Sequence, residues 1–377
     1  MNLESFGIRS DEFSDNLVKQ EVLIRNDLFE ICKYYDCLKK KHLLFKCFTN
    51  EDNEYIRYEK LGCYLNKNFV KSNRCIGKGS TSKVYIGYII SGNLTFDLKL
   101  IALKKICDAN SKEVCHEKIA FKYKKFLDGN TLVLPIDVFE DENKHVYVAF
   151  EKMDFDFRRY LNEIGNLSIY NSTITSFCLI SAIKNLHDNQ IFHRDIKPEN
   201  ILFQSQNSET GQIKLCDFGL ARIYTRRELT PQMVTLWYRA PEIINEEVYG
   251  TKVDIFSFGL VLLELINGRP FLLSESDIDH KYLIEKKLGT ELTDEEDISK
   301  IGKKKPGTVF ETFETPKTFN HRALNIYYYL LKNNKTDDEE IIWKYAIFIA
   351  WTLNINPKKR PNAEQVYNHE IFDQFKQ

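Results

Sequence analysis

Along the chain the spacing of apolar and polar positions changes period twice. Over residues 16–48, Leu17, Val22, Leu23, Leu28 and Ile31 recur near helical spacing with charges between them, which predicts helix. Residues 1–68 are therefore expected to form an N-terminal helical extension that either pads the domain behind it or docks a partner. From Val70 the period shortens. KVYIGYIISG (83–92) and KLIALKKI (99–106) read as β-strands joined by a turn at 91–93. Residues 111–128 are charged and amphipathic enough for a helix, while VLPIDVF (133–139) and KHVYVAF (144–150) supply two more strands. After residue 155 the pattern turns mainly helical, with TITSFCLISAIKNLHDN (173–189) and VDIFSFGLVLLELING (253–268) as long apolar-rich segments. The prediction is an α+β chain, a small β-rich lobe followed by a larger helical one. A cleft between two such lobes is a usual place for a ligand. No internal repeat is present.

Composition narrows the function classes. The chain has 377 residues, 43% apolar and 28% charged, an ordinary balance for a protein with a real core. A formal charge of -1 provides no global basic field, so direct nucleic-acid binding is not expected. No apolar stretch reaches the roughly 18 residues of a membrane span, and the start, MNLESFGIRSDEF, lacks the layout of a secretory signal. Nine cysteines are scattered without zinc-like spacing, which points to a reducing intracellular compartment. The sequons NLT, NLS and NST are then inert, and the basic clusters LKKKH and GKKKPG read as solvated faces.

Candidate chemistry begins at CIGKGSTSKVYIG (75–87), where Gly77 and Gly79 sit in a tight turn between strands and backbone amides can approach phosphate oxygens. A glycine pair alone fits many hairpins. The tract is not the dinucleotide fingerprint, because a strand follows it, nor the G-x-x-x-x-G-K-[ST] loop. One strand further on, Lys104 stands among Ile101, Ala102, Leu103 and Ile106. Such a lysine either snorkels at the lobe edge or turns inward to neutralise nucleotide phosphates, where it needs a carboxylate to orient it. Glu117 in CHEKIAF is the expected partner, and Glu113, one turn earlier, the alternative.

HRDIKPEN (193–200) then packs two basic residues, two acids and an amide between apolar neighbours. Asp195 is the expected general base or hydroxyl-orienting group, Lys197 can balance charge on a moving phosphoryl group, and Asn200 can give an oxygen to a metal. In IKLCDFGLAR (213–222), Asp217 follows a strand and precedes a glycine, where a carboxylate can bind Mg2+ against two phosphates. Turn-capping explains Asp195 and Asp217 one at a time. It leaves the two tracts, their order and Lys104 as separate coincidences.

These tracts, with DFG at 217–219 and APE at 240–242, resemble those of eukaryotic protein kinases in order and separation. The resemblance implies a protein kinase domain over 69–375, bilobal, with an N-lobe over about 69–152 and a C-lobe over about 153–375. It implies ATP and Mg2+ as cofactors and transfer of the γ-phosphoryl group to protein hydroxyls. Asp195 would accept or orient the hydroxyl proton with help from Lys197, Lys104 would pair with Glu117, and Asn200 and Asp217 would hold Mg2+. Ile76, Gly77, Gly79, Val84, Ala102 and Leu202 would complete the nucleotide site, with Phe150 at its back and backbone groups of Glu151 and Met153 on adenine. Glu242 would brace Arg360, and Asp254 would anchor the catalytic-loop backbone. Ser82 replaces the family's third loop glycine, DIF (254–256) the usual DIW, and Asn356 a common acid. No essential side chain is missing, so an active enzyme is expected rather than a kinase-shaped scaffold.

Within the family, Lys197 in HRDIKPEN resembles the serine/threonine branch. VTLWYRAPE (234–242) and the tract at 274–290 resemble the cyclin-dependent group. That likeness implies a pocket for proline after the target residue, shaped by Arg239 and the backbone near Val234, hence Ser/Thr-Pro substrates. It implies a cyclin or cyclin-like activator, an activating phosphate at Thr230 received by Arg194 and Arg222, and nuclear residence, with the cytoplasm as alternative. His116 stands where relatives carry a third arginine, which weakens the phosphate clamp at neutral pH. SKEVCHE (111–117) departs from the cyclin-contacting PSTAIRE helix, so a divergent cyclin, another partner or residues 1–68 are open as its support. Ser80-Thr81 replaces the inhibitory Thr-Tyr pair, and Gln232 excludes the Thr-x-Tyr signature of mitogen-activated kinases. QSQNSETG (204–211) predicts a long polar hairpin.

Overall fold

A computed structural model describes residues 43–49, 56–65, 69–79, 82–91, 97–106, 121–141, 143–205, 211–218, 221–223, 236–290, 319–332 and 338–376. They divide into two compact units. One is built on an antiparallel sheet: β1 (Leu43–Thr49), β2 (Ile56–Tyr64), β3 (Phe69–Lys78), β4 (Ser82–Ser91), β5 (Asp97–Ile106), β6 (Asp137–Glu140) and β7 (Val146–Glu151), in the order β1-β2-β3-β4-β5-β7-β6. Alternation along β5 decides the faces. Ile101 and Leu103 are buried with Leu65, Phe69, Tyr147 and Ala149 on one side, which leaves Ala102 and Lys104 on the other. Phe139 stacks between Phe69 and Tyr147, at ring centroid distances of 4.5 and 5.8 Å, and closes this core. Gly87 is needed there because a Cβ would meet Leu103 Cδ1 at 2.3 Å.

The N-terminal segment departs from the helical expectation where it is described. Leu43–Thr49 is a strand, registered on β2 from Leu43↔Cys63 to Thr49↔Ile56 with an irregularity between Leu44 and Phe45. A nine-residue partner strand supplies a ladder of backbone bonds, which outweighs the weak local preference read from spacing. β2 continues onto β3 through Cys63↔Lys71 and Tyr64↔Val70, so the sheet runs across the boundary expected at 68–69. The remainder of the helical prediction, 16–42, and most of that over 111–128 lie outside the described residues.

The second unit is mainly helical. It contains β8 (Phe155–Asp156), α1 (Phe157–Ile164), α2 (Ile169–Asp188), β9 (Ile191–Phe192), β10 (Ile201–Ser205), β11 (Gly211–Leu215) and β12 (Arg222–Ile223). Then follow α3 (Pro241–Ile244), α4 (Lys252–Asn267), α5 (Asp277–Leu288), α6 (Phe319–Leu331), α7 (Glu339–Thr352) and α8 (Ala363–Tyr367). Two long helices fall where the apolar segments predicted them. α2 starts at Ser168, whose hydroxyl accepts the Asn171 amide, and α4 stops at Gly268 in the left-handed region at φ 74°. α4 is buried over almost its whole length, as its apolar circumference requires. Gly259 lets α7 approach it, since a Cβ would stand 2.4 Å from Thr352 Oγ1. Among the described residues no helix is long and apolar enough to cross a membrane.

Candidate active site

The loop between β9 and β10 is organised from α4. Asp254, in the first turn of that helix, is fully buried and accepts the amides of His193 and Arg194, both at 2.8 Å. His187, in the last turn of α2, adds a bond from Nε2 at 2.9 Å. Burial alone would raise the Asp254 carboxyl, yet the His187 bond and charge, with the Arg194 amide, hold it below the usual carboxylate range. One carboxylate thus fixes two successive backbone amides, and the chain can hold Arg194 in the left-handed region at φ 68°.

Beyond that bend the functional side chains converge. Lys197 Nζ lies 2.7 Å from Asp195 Oδ2. Asn200 donates Nδ2 to the same oxygen at 3.0 Å and to the Asp195 carbonyl at 2.7 Å, which leaves its Oδ1 as the oxygen for a cation. The following tract is tied alongside: the Cys216 amide donates to the Asn200 carbonyl, and His193 Nε2 donates to the Cys216 carbonyl, both at 2.9 Å. The Asp195 amide approaches His193 Nδ1 at 3.3 Å, which assigns the imidazole proton to Nε2. Asp217, next in sequence, also has a left-handed backbone at φ 69°. Phe218 packs its ring 5.7 Å from that of His193.

Among the described residues no group of three or more His, Cys, Asp or Glu could hold a metal. The Asn200–Asp217 pair suits Mg2+, which takes one or two protein oxygens and completes its shell with phosphate and water. That donor set fits the ion read from the sequence.

In the sheet unit, Lys104 faces away from the apolar core and is 6% exposed. Direct cross-strand partners share its face: Val84 on β4 and Val148 on β7 opposite Lys104, and Ile86 and Phe150 opposite Ala102. Gly77 pairs with Val84, and a Cβ on it would reach Val84 Cβ at 3.5 Å. The Gly79 amide donates to the Ser82 carbonyl at 2.9 Å and closes the hairpin. Gly77, Val84, Ala102, Lys104 and Phe150 therefore share one face. Glu151 pairs in register with Ile101, Met153 is buried beyond the strand end, and Ile76 is exposed. In the helical unit, Leu202 pairs with Asp156.

Glu113, His116, Glu117, Thr230 and Val234 lie outside the described residues, as do Ser80 and Thr81. The backbone of Arg222 pairs with Phe192. Arg194 extends Nη1 to Tyr249 OH at 3.1 Å. Glu242 and Arg360 form the expected brace through two parallel bonds of 2.6 and 3.0 Å.

Sequence reasoning missed a second polar node. Arg158 on α1 donates Nε to Glu199 Oε1 at 3.0 Å, Nη1 to Glu264 Oε1 at 2.5 Å and Nη2 to Tyr238 OH at 2.5 Å. Tyr238 OH donates onward to Glu264 Oε2 at 2.5 Å. Burial raises the Glu264 carboxyl despite the bonds from Arg158 and Tyr238 that oppose it. The four residues come from α1, the catalytic loop, the segment before APE and α4, and no spacing rule links them.

The family model for the protein kinase domain matches residues 70–372. The chain belongs to the protein kinase family. The resemblance read from its tracts is thereby borne out. This kinase chain is 34% identical over 211 residues to "Cyclin-dependent kinase 4" of Xenopus laevis. That match spans 54% of the chain and 65% of the relative, just under two thirds of the relative's length. Among solved structures, "Structure of the CAK complex form Chaetomium thermophilum bound to ATP-gamma-S" is similar at a TM-score of 0.63 and 24% identity, covering 81% of this chain and 91% of that one. At that identity the likeness concerns the kinase fold.

Proposed function

We propose that the chain is an ATP- and Mg2+-dependent serine/threonine protein kinase of the cyclin-dependent type. One observation carries the reading: Asp195, Lys197 and Asn200 meet on a single carboxylate oxygen, in a loop whose backbone Asp254 fixes. Asp195 orients the attacking hydroxyl and takes its proton. Lys197, already on that carboxylate, offers positive charge to the phosphoryl group in transit. Asn200 Oδ1 and the Asp217 carboxylate are the oxygens suited to Mg2+, which with ATP supplies an activated phosphoryl group and neutralises charge on it. Lys104, buried on the face that carries Gly77, Val84, Ala102 and Phe150, is suited to the nucleotide phosphates.

Proline direction, with Val234 and Arg239 shaping the pocket, belongs to the same proposal. So do a cyclin or cyclin-like activator and a regulatory phosphate at Thr230, received by Arg194 and Arg222. The relative named for cyclin dependence supports the activator, and the other two rest on the sequence tracts alone. Glu117 is assigned to orient Lys104, and His116 to the edge of the phosphate clamp.

The full chain, isolated with its stoichiometric partner and given Mg-ATP and a Ser-Pro peptide library, is expected to yield phosphopeptides. Asp195→Asn should lower kcat by about 10²- to 10⁴-fold with the KM for ATP little changed. Absence of transfer by the partner-loaded wild type would sink the enzyme reading.

A further inference from the structure

The first residues of α5 take hold of Arg239 by both its side chain and its backbone. Asp277 Oδ1 accepts Arg239 Nη1 at 2.7 Å. His280, which is fully buried, places Nε2 3.1 Å from the Arg239 carbonyl oxygen. A carbonyl can only accept, so Nε2 carries the imidazole proton and Nδ1 is left as an acceptor. Ser274 Oγ, 2.8 Å from Nδ1, supplies the matching donor. The same serine reaches the next tract through its backbone, since its carbonyl accepts Trp237 Nε1 at 2.9 Å. Ser257 on α4 donates Oγ to the Tyr238 carbonyl at 2.7 Å. Two successive carbonyls of the segment before APE are therefore tied down by side chains from two different helices.

We infer that His280, locked by Ser274, is a positioning residue for Arg239 and thereby sets recognition of the residue that follows the phosphorylated Ser or Thr. This rests on the proline-pocket reading above. His280 acts through Arg239 and does not itself meet the substrate. A leucine fills similar space but leaves the Arg239 carbonyl and the Ser274 hydroxyl buried without these partners. A glutamine's terminal amide offers an NH2 to donate and a carbonyl oxygen to accept, and can serve both partners.

The test compares wild type, His280→Leu and His280→Gln as full chains with their copurified partner. Each is assayed on a Ser-Pro peptide and its Ser-Ala counterpart, and amide hydrogen exchange is followed across 237–240. His280→Leu should raise the KM for the Ser-Pro peptide about tenfold, leave kcat and the KM for ATP within about twofold, and speed exchange in that segment. His280→Gln should restore both readouts. Unchanged KM and exchange in the leucine variant overturn the inference, as does an equal fall of kcat on both peptides or a glutamine variant that behaves like leucine. A wild type with no preference for proline, or no transfer, defeats the earlier reading instead. Exchange alone then decides the clip: faster in the leucine variant and restored by glutamine upholds it, and any other pattern overturns it.

Discussion

Arg360 shows what one side chain can hold in place. Its guanidinium makes two bonds to Glu242 and others to the carbonyls of Lys252, Asn354 and Ile355, and Phe256 lies against it 5.0 Å from ring centroid to Cζ. Both partners are almost fully buried, at 1% and 2% exposed, so removing either strands the other. Arg360→Ala should cost about 3–5 kcal/mol in urea unfolding, and Arg360→Lys should recover little because an ammonium cannot form the paired fork. His280 makes a second prediction. Burial pushes its imidazole from 6.5 down to about 4, against the raising effect of the Arg239 carbonyl, with Arg239 lowering it further and Asp277 and Asp279 raising it. The native state therefore refuses a proton that the unfolded chain accepts below about pH 6.5. Stability should fall as pH drops from about 6.5 to 4 and lose nothing further from this group below that. The full loss is on the order of 3 kcal/mol, and His280→Gln should remove this part of the pH dependence. His369, lowered by burial as well, acts in the same direction.

At the scale of elements, the catalytic loop depends on the start of α4. Asp254→Asn keeps one acceptor oxygen but turns an NH2 group toward donors that need a carboxylate. We expect kcat to fall by about tenfold or more and unfolding free energy by about 1–3 kcal/mol, measured by peptide phosphorylation and urea titration. Much of this element-level picture was legible in the sequence. Short runs rich in Val, Ile, Tyr and Leu bounded by turn residues marked β4, β5 and β7, and two longer apolar runs marked α2 and α4, because strand and helix need runs of different length. Leu43–Thr49 was not legible as a strand. Its apolar residues fit either period, and pairing with β2 decided between them. The Arg158 node was equally hidden, since its members stand 41, 80 and 106 residues from the arginine.

For the whole molecule, ligand binding should appear as stability. A thermal scan with Mg2+ and ATP at a hundred times the dissociation constant should show a gain of about 2.7 kcal/mol, and Asp217→Asn should remove the Mg2+-dependent part. The order of the glycine tract, Lys104, HRDIKPEN, DFG and APE was enough to assign the family and to propose which groups serve phosphate, metal and hydroxyl. Those assignments need only residue types in sequence order, because phosphoryl transfer requires a fixed set of charges and donors. The anchoring of the loop backbone by Asp254 was expected from the sequence and is seen in the bonds to His193 and Arg194. Tertiary structure alone decided that Lys197 and Asn200 share one oxygen of Asp195, that β1 and β2 extend the sheet, and that His280 holds the Arg239 carbonyl. Each of these depends on interatomic distances that residue order does not set, and hydrogen-bond energy falls away within an ångström of the right separation.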